Sequence, residues 1–327
     1  MDMTESGRRL VLSLQDSLGP TILDALHEPA VVEVMLNPNG SLFVERVGEG
    51  MRAAGTMTQS AAEIVIGKVA HALQTEVGPL HPIISGELPI GGHRFEGLLP
   101  PAAASPMFTI RKRTSMLITL DQYISDRIMS IAQAEAIRDA LSRRKNIVIA
   151  GGTGTGKTTL ANAILAELVK LNPEHRLVIL EDTAEICCAA ANLVSLHTTD
   201  QVDMGRLLKS TMRLRPDRII VGEVRDGAAL TLLKAWNTGH PGGIATVHAN
   251  SARAALTRLE QLVAEVSSQP MPEIIAEAVD LIVFIERAPG GRLVRELLRV
   301  DGHRGDEYIT ASVPTTASHT QGKLHVA

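Results

Sequence analysis

Apolar residues fall into short runs along the whole chain, and the order of those runs changes near residue 115. Residues 7–28 (GRRLVLSLQDSLGPTILDALHE) carry an apolar stripe at helical spacing, interrupted at Gly19-Pro20. Two strand-like runs follow within 31–46, joined by Asn37-Pro38-Asn39-Gly40, a hairpin signal. Residues 58–77 read as a helix, with Thr58 or Ser60 as its N-cap. Residues 84–101 give two more short strands around Gly91-Gly92, and 107–113 (MFTIRKR) a further one ending on three basic residues. Strands grouped in this way predict an α+β domain over residues 1–115.

Residues 116–122 form a linker, and the pattern from 123 to 145 is helical, with Ser130 as a candidate cap. Beyond it, buried-type strands at 146–150, 176–182, 192–198, 217–223 and 243–249 alternate with helical stretches. That alternation predicts a mostly parallel α/β sheet spanning 123–310. DLIVFIER and RLVRELLRV, separated by Pro289-Gly290-Gly291, read as a terminal hairpin. The polar stretch 311–327 is expected to be a frayed tail.

A chain of 327 residues has room for about two such domains. Aromatic residues make up only 2%, which speaks against stacking platforms for bases, and the net charge of −4 speaks against a basic nucleic-acid coat. The two cysteines, Cys187 and Cys188, are adjacent and do not make an ordinary structural bridge, as expected of a reducing compartment. The start is polar, and no stretch approaches ~18 apolar residues. These features point to a cytoplasmic protein with at most a peripheral contact at the inner face of the inner membrane.

The chemistry concentrates in Gly151–Thr158, which matches G-x-x-x-x-G-K-[ST] between the strand NIVIA and the helix LANAILAEL. Gly151, Gly152, Gly154 and Gly156, with Thr153 and Thr155 between them, let successive backbone N–H groups close around one anion. The following helix aims its positive end at the same spot. Lys157 is placed to reach the β- and γ-phosphates of ATP, Thr158 to ligate Mg²⁺, and Thr159 to face the α-phosphate side or pack.

Such a loop needs an acid on a neighbouring strand end. Glu223 follows Ile219-Ile220-Val221, while Glu181 and Asp182, with Glu185 beyond, follow VIL. The metal acid is open between Asp182 and Glu223, and either Glu181 or Asp182 can share the base role with Glu223. Two histidines, His240 and His248, flank the strand GIATVHA, without the spacing of a zinc site.

GGTGTGKTT, LEDTAE, RLRPDRIIVGEVRD and TGHPGGIATVHAN together resemble the Walker A, Asp, Walker B and His boxes of the secretion-superfamily ATPases. NPNGSLFVE, ISGELPIGGHRFEGLLPP and FTIRKR resemble the N-terminal domain of the conjugal-transfer branch of that superfamily. The resemblance implies a RecA-like motor domain working as a homohexamer, with Glu223 polarising the attacking water and His248 sensing the γ-phosphate. It also implies that Arg94 and Arg111 contact nucleotide phosphates, with Arg113, Arg213 and Arg215 as weaker candidates for the same cationic shell. The expected role is Mg²⁺-dependent ATP hydrolysis driving conjugative DNA transfer or type IV secretion, in contact with inner-membrane components of that machine. A type IV pilus or type II secretion motor, a nucleotide-gated scaffold without turnover and a DNA translocase are the alternatives.

Overall fold

The computed structural model describes residues 5–46, 49–113, 118–199, 201–289 and 291–314. The contacts divide the chain into two units, Met1–Ser115 and Met116–Ala327. The expected tail beyond residue 314 and the linker residues 116 and 117 lie outside the described residues.

In the first unit, α1 (Glu5–His27) is broken at Gly19, whose φ of 74° no helix allows. The strands β1 (Val31–Leu36), β2 (Ser41–Arg46) and β3 (Gly50–Thr56) follow, then α2 (Gln59–Ala72), β4 (Ile83–Glu87), β5 (Arg94–Leu98) and β6 (Met107–Arg111). Thr58 caps α2 by accepting from the Ala61 N–H. The helix stops at Ala72 rather than 77, and β3 was not legible because GMRAAGT has no apolar alternation. The strands form an antiparallel sheet in the order β3-β2-β1-β6-β5-β4. Its core joins Leu14, Leu18 and Ile22 of α1 to Val65, Ile66 and Val69 of α2 and to the stacked pair Phe95 and Phe108.

The second unit opens with α3 (Leu120–Ser125) and α4 (Ile131–Ser142), so the helical pattern begins within the expected linker and splits before Ser130. Ser130 and Gln133 make a reciprocal capping box at the start of α4. Then come β7 (Ile147–Gly151), α5 (Lys157–Leu171), β8 (Leu177–Glu181), β9 (Leu193–His197), α6 (Met204–Thr211), β10 (Arg218–Val224), α7 (Ala228–Asn237), β11 (Ile244–His248) and α8 (Ala252–Ala264). The chain finishes with α9 (Pro272–Ala278), β12 (Leu281–Ala288), β13 (Gly291–Arg304) and β14 (Glu307–Ser312). Both α9 and β14 are additions to the sequence-based expectation, and β14 carries ordered structure past residue 310.

The sheet order is β14-β13-β12-β7-β11-β10-β8-β9. The six strands from β12 to β9 are mutually parallel, and β13 and β14 run antiparallel at one edge. Period-2 alternation sends Ile147, Ile149, Ile179 and Ile220 to the face covered by α3, α4 and α5. It sends Val148, Ala150, Leu180, Val221 and Val247 to the face covered by α6 to α9. Strands buried on both faces read as continuous apolar runs, which is why they were found from sequence.

Asn146 fixes the start of the central strand. Its buried side chain accepts from Gly242 N–H (2.7 Å) and Gly243 N–H (2.9 Å) and donates to Ala278 O (2.7 Å). Its own N–H donates to the Asp280 carboxylate at 2.8 Å. One residue thus ties together the beginnings of β7, β11 and β12. Asn146→Ala should lower the unfolding free energy of this unit by about 3 kcal/mol, because it orphans two buried N–H groups and a carbonyl. Denaturant melts check this, and a loss below about 1 kcal/mol contradicts the role.

Among the described residues of the first unit, His93 is the buried titratable group; its Nδ1 accepts from Arg113 N–H at 3.0 Å. Burial, aided by the Lys112 and Arg113 charges, pushes its pKa below 6.5. The fold therefore prefers the neutral ring, and its contribution is present above 6.5 and lost as pH falls through the lowered value. Melting temperature should drop as pH goes from 7 to about 5, and His93→Gln should flatten that part of the slope. An identical pH profile in both proteins contradicts this.

Candidate nucleotide site

The residue types of the loop between β7 and α5 follow from its backbone. Gly154 and Gly156 have φ of 68° and 94°, the left-handed region where a side chain is strained. A Cβ on Gly151 would lie 2.4 Å from Ile285 O, so that position is closed to any other residue. Thr155 Oγ1 donates to Gly152 O at 2.9 Å and tightens the turn. No side-chain hydrogen bond caps the 15-residue α5, which leaves its first N–H groups available to an anion. Lys157 Nζ donates to Gly151 O (3.0 Å) and Gly152 O (3.1 Å), which holds the ammonium across the loop mouth.

The parallel register brings the other motifs to the same sheet edge. His248, exposed at the end of β11, is the register partner of Gly151. β10 lies beyond β11 and ends on Glu223 and Val224, and β8 lies beyond β10 and ends on Glu181. His240 precedes β11 and therefore sits at the opposite end of the strand, away from the loop.

The loop after β8 is pinned twice. Glu181, only 4% exposed, accepts from the N–H groups of Glu185 (3.0 Å) and Ile186 (2.8 Å). Asn162 of α5, one turn beyond Thr158, accepts from Cys187 N–H at 3.0 Å. These bonds set the Glu185 carboxylate against the Thr158 hydroxyl, which donates to it at 3.2 Å. Glu181, a candidate base in the sequence reading, thus holds the backbone of the Glu185 segment through one of its carboxylate oxygens. Close packing adds to this: a Cβ on Gly222 would meet Glu181 Cγ at 2.8 Å. The carbonyl of Gly222 is in turn held by Thr246 Oγ1 at 2.6 Å, tying β10 to β11 just before Glu223.

Arg225 gathers the remaining acids. It donates to Glu223 at 2.6 and 2.9 Å and lies 3.4 Å from Asp182, whose other oxygen accepts from Thr198 Oγ1. Burial works against its charge, but the Glu223 hydrogen bond and the charges of Glu223, Asp182 and Glu185 outweigh it, so its pKa stands above the ordinary value. The sequence reading passed over Arg225. It lies one residue past the end of β10, where no strand or helix period places a side chain.

The cations named from sequence separate into three places. Arg94 and Arg111 belong to the first unit, where they are direct cross-strand partners on β5 and β6, and Arg111 also faces Glu33 of β1. Burial pushes the Glu33 pKa up, with Arg111 pulling it back. Arg113 follows β6 and engages His93 through its backbone. Arg213 and Arg215 are exposed in the segment before β10, at the amino end of that strand. They are a seven-residue strand, on the order of 20 Å, away from the loop of their own chain.

For Mg²⁺ the donor chemistry fits. A hydroxyl at the start of α5 with a carboxylate beside it suits a hard ion that keeps most of its ligands as water and phosphate oxygens. Glu185, mentioned from sequence only as a trailing acid, is the carboxylate nearest to that hydroxyl, while Asp182 and Glu223 meet at Arg225.

Residues 96–311 match the family described as type II/IV secretion system protein. The chain is 66% identical over 310 residues to the conjugal transfer protein TrbB of Rhizobium radiobacter, covering 95% of this chain and 96% of that one. It is 64% identical, over the whole of both chains, to the probable conjugal transfer protein TrbB of Sinorhizobium fredii. The solved ATPase DotB of Yersinia pseudotuberculosis shares the fold, with a TM-score of 0.63 at 18% identity, covering 85% of this chain and 78% of that one. A phosphate loop flanked by acid- and histidine-tipped parallel strands, together with these likenesses over most of its length, makes this chain a member of the type II/IV secretion system protein family.

Proposed function

We propose that this chain is a cytoplasmic ATPase that powers conjugal DNA transfer through a type IV secretion machine, working as a homohexamer docked on inner-membrane components. The likeness to two conjugal transfer proteins along essentially the whole chain supports the choice of machine. The single observation that carries the chemistry is the meeting of Thr158, Glu185, Asp182, Glu223 and Arg225 beside the phosphate loop, with His248 in register with Gly151. No helix among the described residues is long and apolar enough to cross a membrane, which supports attachment by docking.

The loop N–H groups and the α5 amino end bind the triphosphate, and Lys157 turns from the loop carbonyls to the β- and γ-phosphates. Thr158 would hold Mg²⁺, with Glu185, Asp182 and Glu223 available around it; once bound, the ion neutralises charge on the β- and γ-phosphate oxygens. Glu223 takes the proton of the water whose oxygen bonds to the γ-phosphorus as the bond to the β-phosphate oxygen breaks. Arg225 orients that carboxylate, Glu181 holds the Glu185 loop, and His248 hydrogen-bonds the γ-phosphate while it is present. Arg213 and Arg215 serve a neighbouring subunit's site.

Phosphate release tests the assignment. Lys157→Ala should lose at least about 100-fold in turnover with an unchanged melting curve. Glu223→Gln should keep ATP binding and lose about 10²- to 10⁴-fold in kcat. Glu181→Gln should lose less and also loosen the loop, read as faster amide exchange at Glu185 and Ile186. Normal turnover in Glu223→Gln refutes the base, and turnover absent from the wild-type chain refutes the motor in favour of a scaffold.

A further inference from the structure

Two arginines outside every motif crowd the phosphate loop from its other side. β12 borders β7 on the flank opposite β11, so the hairpin it forms with β13 stands across the loop from the acids and His248. Arg287 and Arg292 are register partners near the end of that hairpin. Arg287 Nε donates to Gly154 O at 3.3 Å. A Cβ on Gly154 would lie 2.5 Å from an Arg287 guanidinium nitrogen, and one on Gly156 would lie 3.0 Å from Arg292 Cδ and Nε. Both side chains therefore rest against the loop backbone, and the two left-handed glycines are also what lets them approach. Arg292 lies close enough to the buried Tyr123 hydroxyl that its charge lowers a phenol pKa which burial pushes up to about 12.

Their charge is not spent on carboxylates. Among the described residues neither Arg287 nor Arg292 has an acidic partner within 4.0 Å, whereas on the same hairpin Arg295 pairs with Glu286 and Arg299 with Asp301. Two guanidinium groups without carboxylate partners, set beside the positive end of α5, favour an anion between them.

The topology says which part of a nucleotide that is. The groups that act on the γ-phosphate stand on β11, β10 and the loop after β8, all on one side of β7. A triphosphate with its γ end there runs its α-phosphate towards β12. We propose that Arg287 and Arg292 grip the α-phosphate end of the bound nucleotide, and so set affinity for nucleoside di- and triphosphates alike while leaving cleavage of the γ-phosphate to the other flank. This rests on the reading of the loop as the ATP site.

The test measures binding of fluorescent mant-ADP and mant-ATP, with kcat and KM for ATP, in the full chain carrying Arg287→Ala, Arg292→Ala, both, or the Lys equivalents. Each alanine variant should weaken both nucleotides to the same degree, about tenfold, with KM rising in step and kcat at saturation within about threefold of wild type. Lysine should restore part of the affinity, since it keeps the charge and loses the fork. A fall in kcat with KM unchanged puts the arginines at the γ-phosphate and overturns the proposal. Unaltered affinities in the double variant overturn it as well. Lys157→Ala runs alongside: if that variant also binds both nucleotides normally, it is the loop assignment that fails.

Discussion

The structure depends on the tight turn between β7 and α5, where left-handed glycines lead into a helix whose first N–H groups no side chain caps. The neighbouring constraints follow from keeping that loop in shape. Gly154 and Gly156 must be glycine for conformation, and Gly151 because the Ile285 carbonyl stands where a side chain would go. Asn146 anchors the strand that delivers the loop, tying it to the starts of β11 and β12, so that three strand ends on the far side leave in a fixed register. A displacement of one residue in that register would move His248 off Gly151 and turn its side chain to the other face.

Around the loop, charge is divided by flank. The acids lie on one side, organised by hydrogen bonds that do not themselves touch the loop. Glu181 and Asn162 hold a segment so that Glu185 meets Thr158, and Arg225 draws Asp182 and Glu223 together. The cations of the β12–β13 hairpin lie on the other side. This polarity gives a bound nucleotide a direction.

Much of this was legible in the sequence for physical reasons that can be named. Strands buried on both faces stand out as unbroken apolar runs, and the loop's glycines and its Lys-Thr pair follow one of them directly. Elements without an apolar period, such as β3, or with a short one, such as α9 and β14, gave no signal. The order of strands in the sheet was not legible either, and it decides which side chains meet. The hairpin signal in the sequence does not say which residues pair, and the pairing of β12 with β13 and with β7 is what sets Arg287 opposite Arg292 at the loop. Likewise the run LEDTAE shows three acids after a strand, and only the hydrogen bonds of Glu181 show which of them holds the backbone that follows.

The central claim is that a triphosphate lies on this loop with a fixed polarity, γ-phosphate to the acid flank and α-phosphate to the arginine flank. An experimental structure of the full chain with Mg²⁺ and a non-hydrolysable ATP analogue tests it most directly. The account predicts the γ-phosphate beside Thr158, Glu223 and His248, and the α-phosphate within hydrogen-bonding distance of Arg287 or Arg292. A nucleotide bound in the reverse sense, or one held away from Gly151–Thr158, would contradict it.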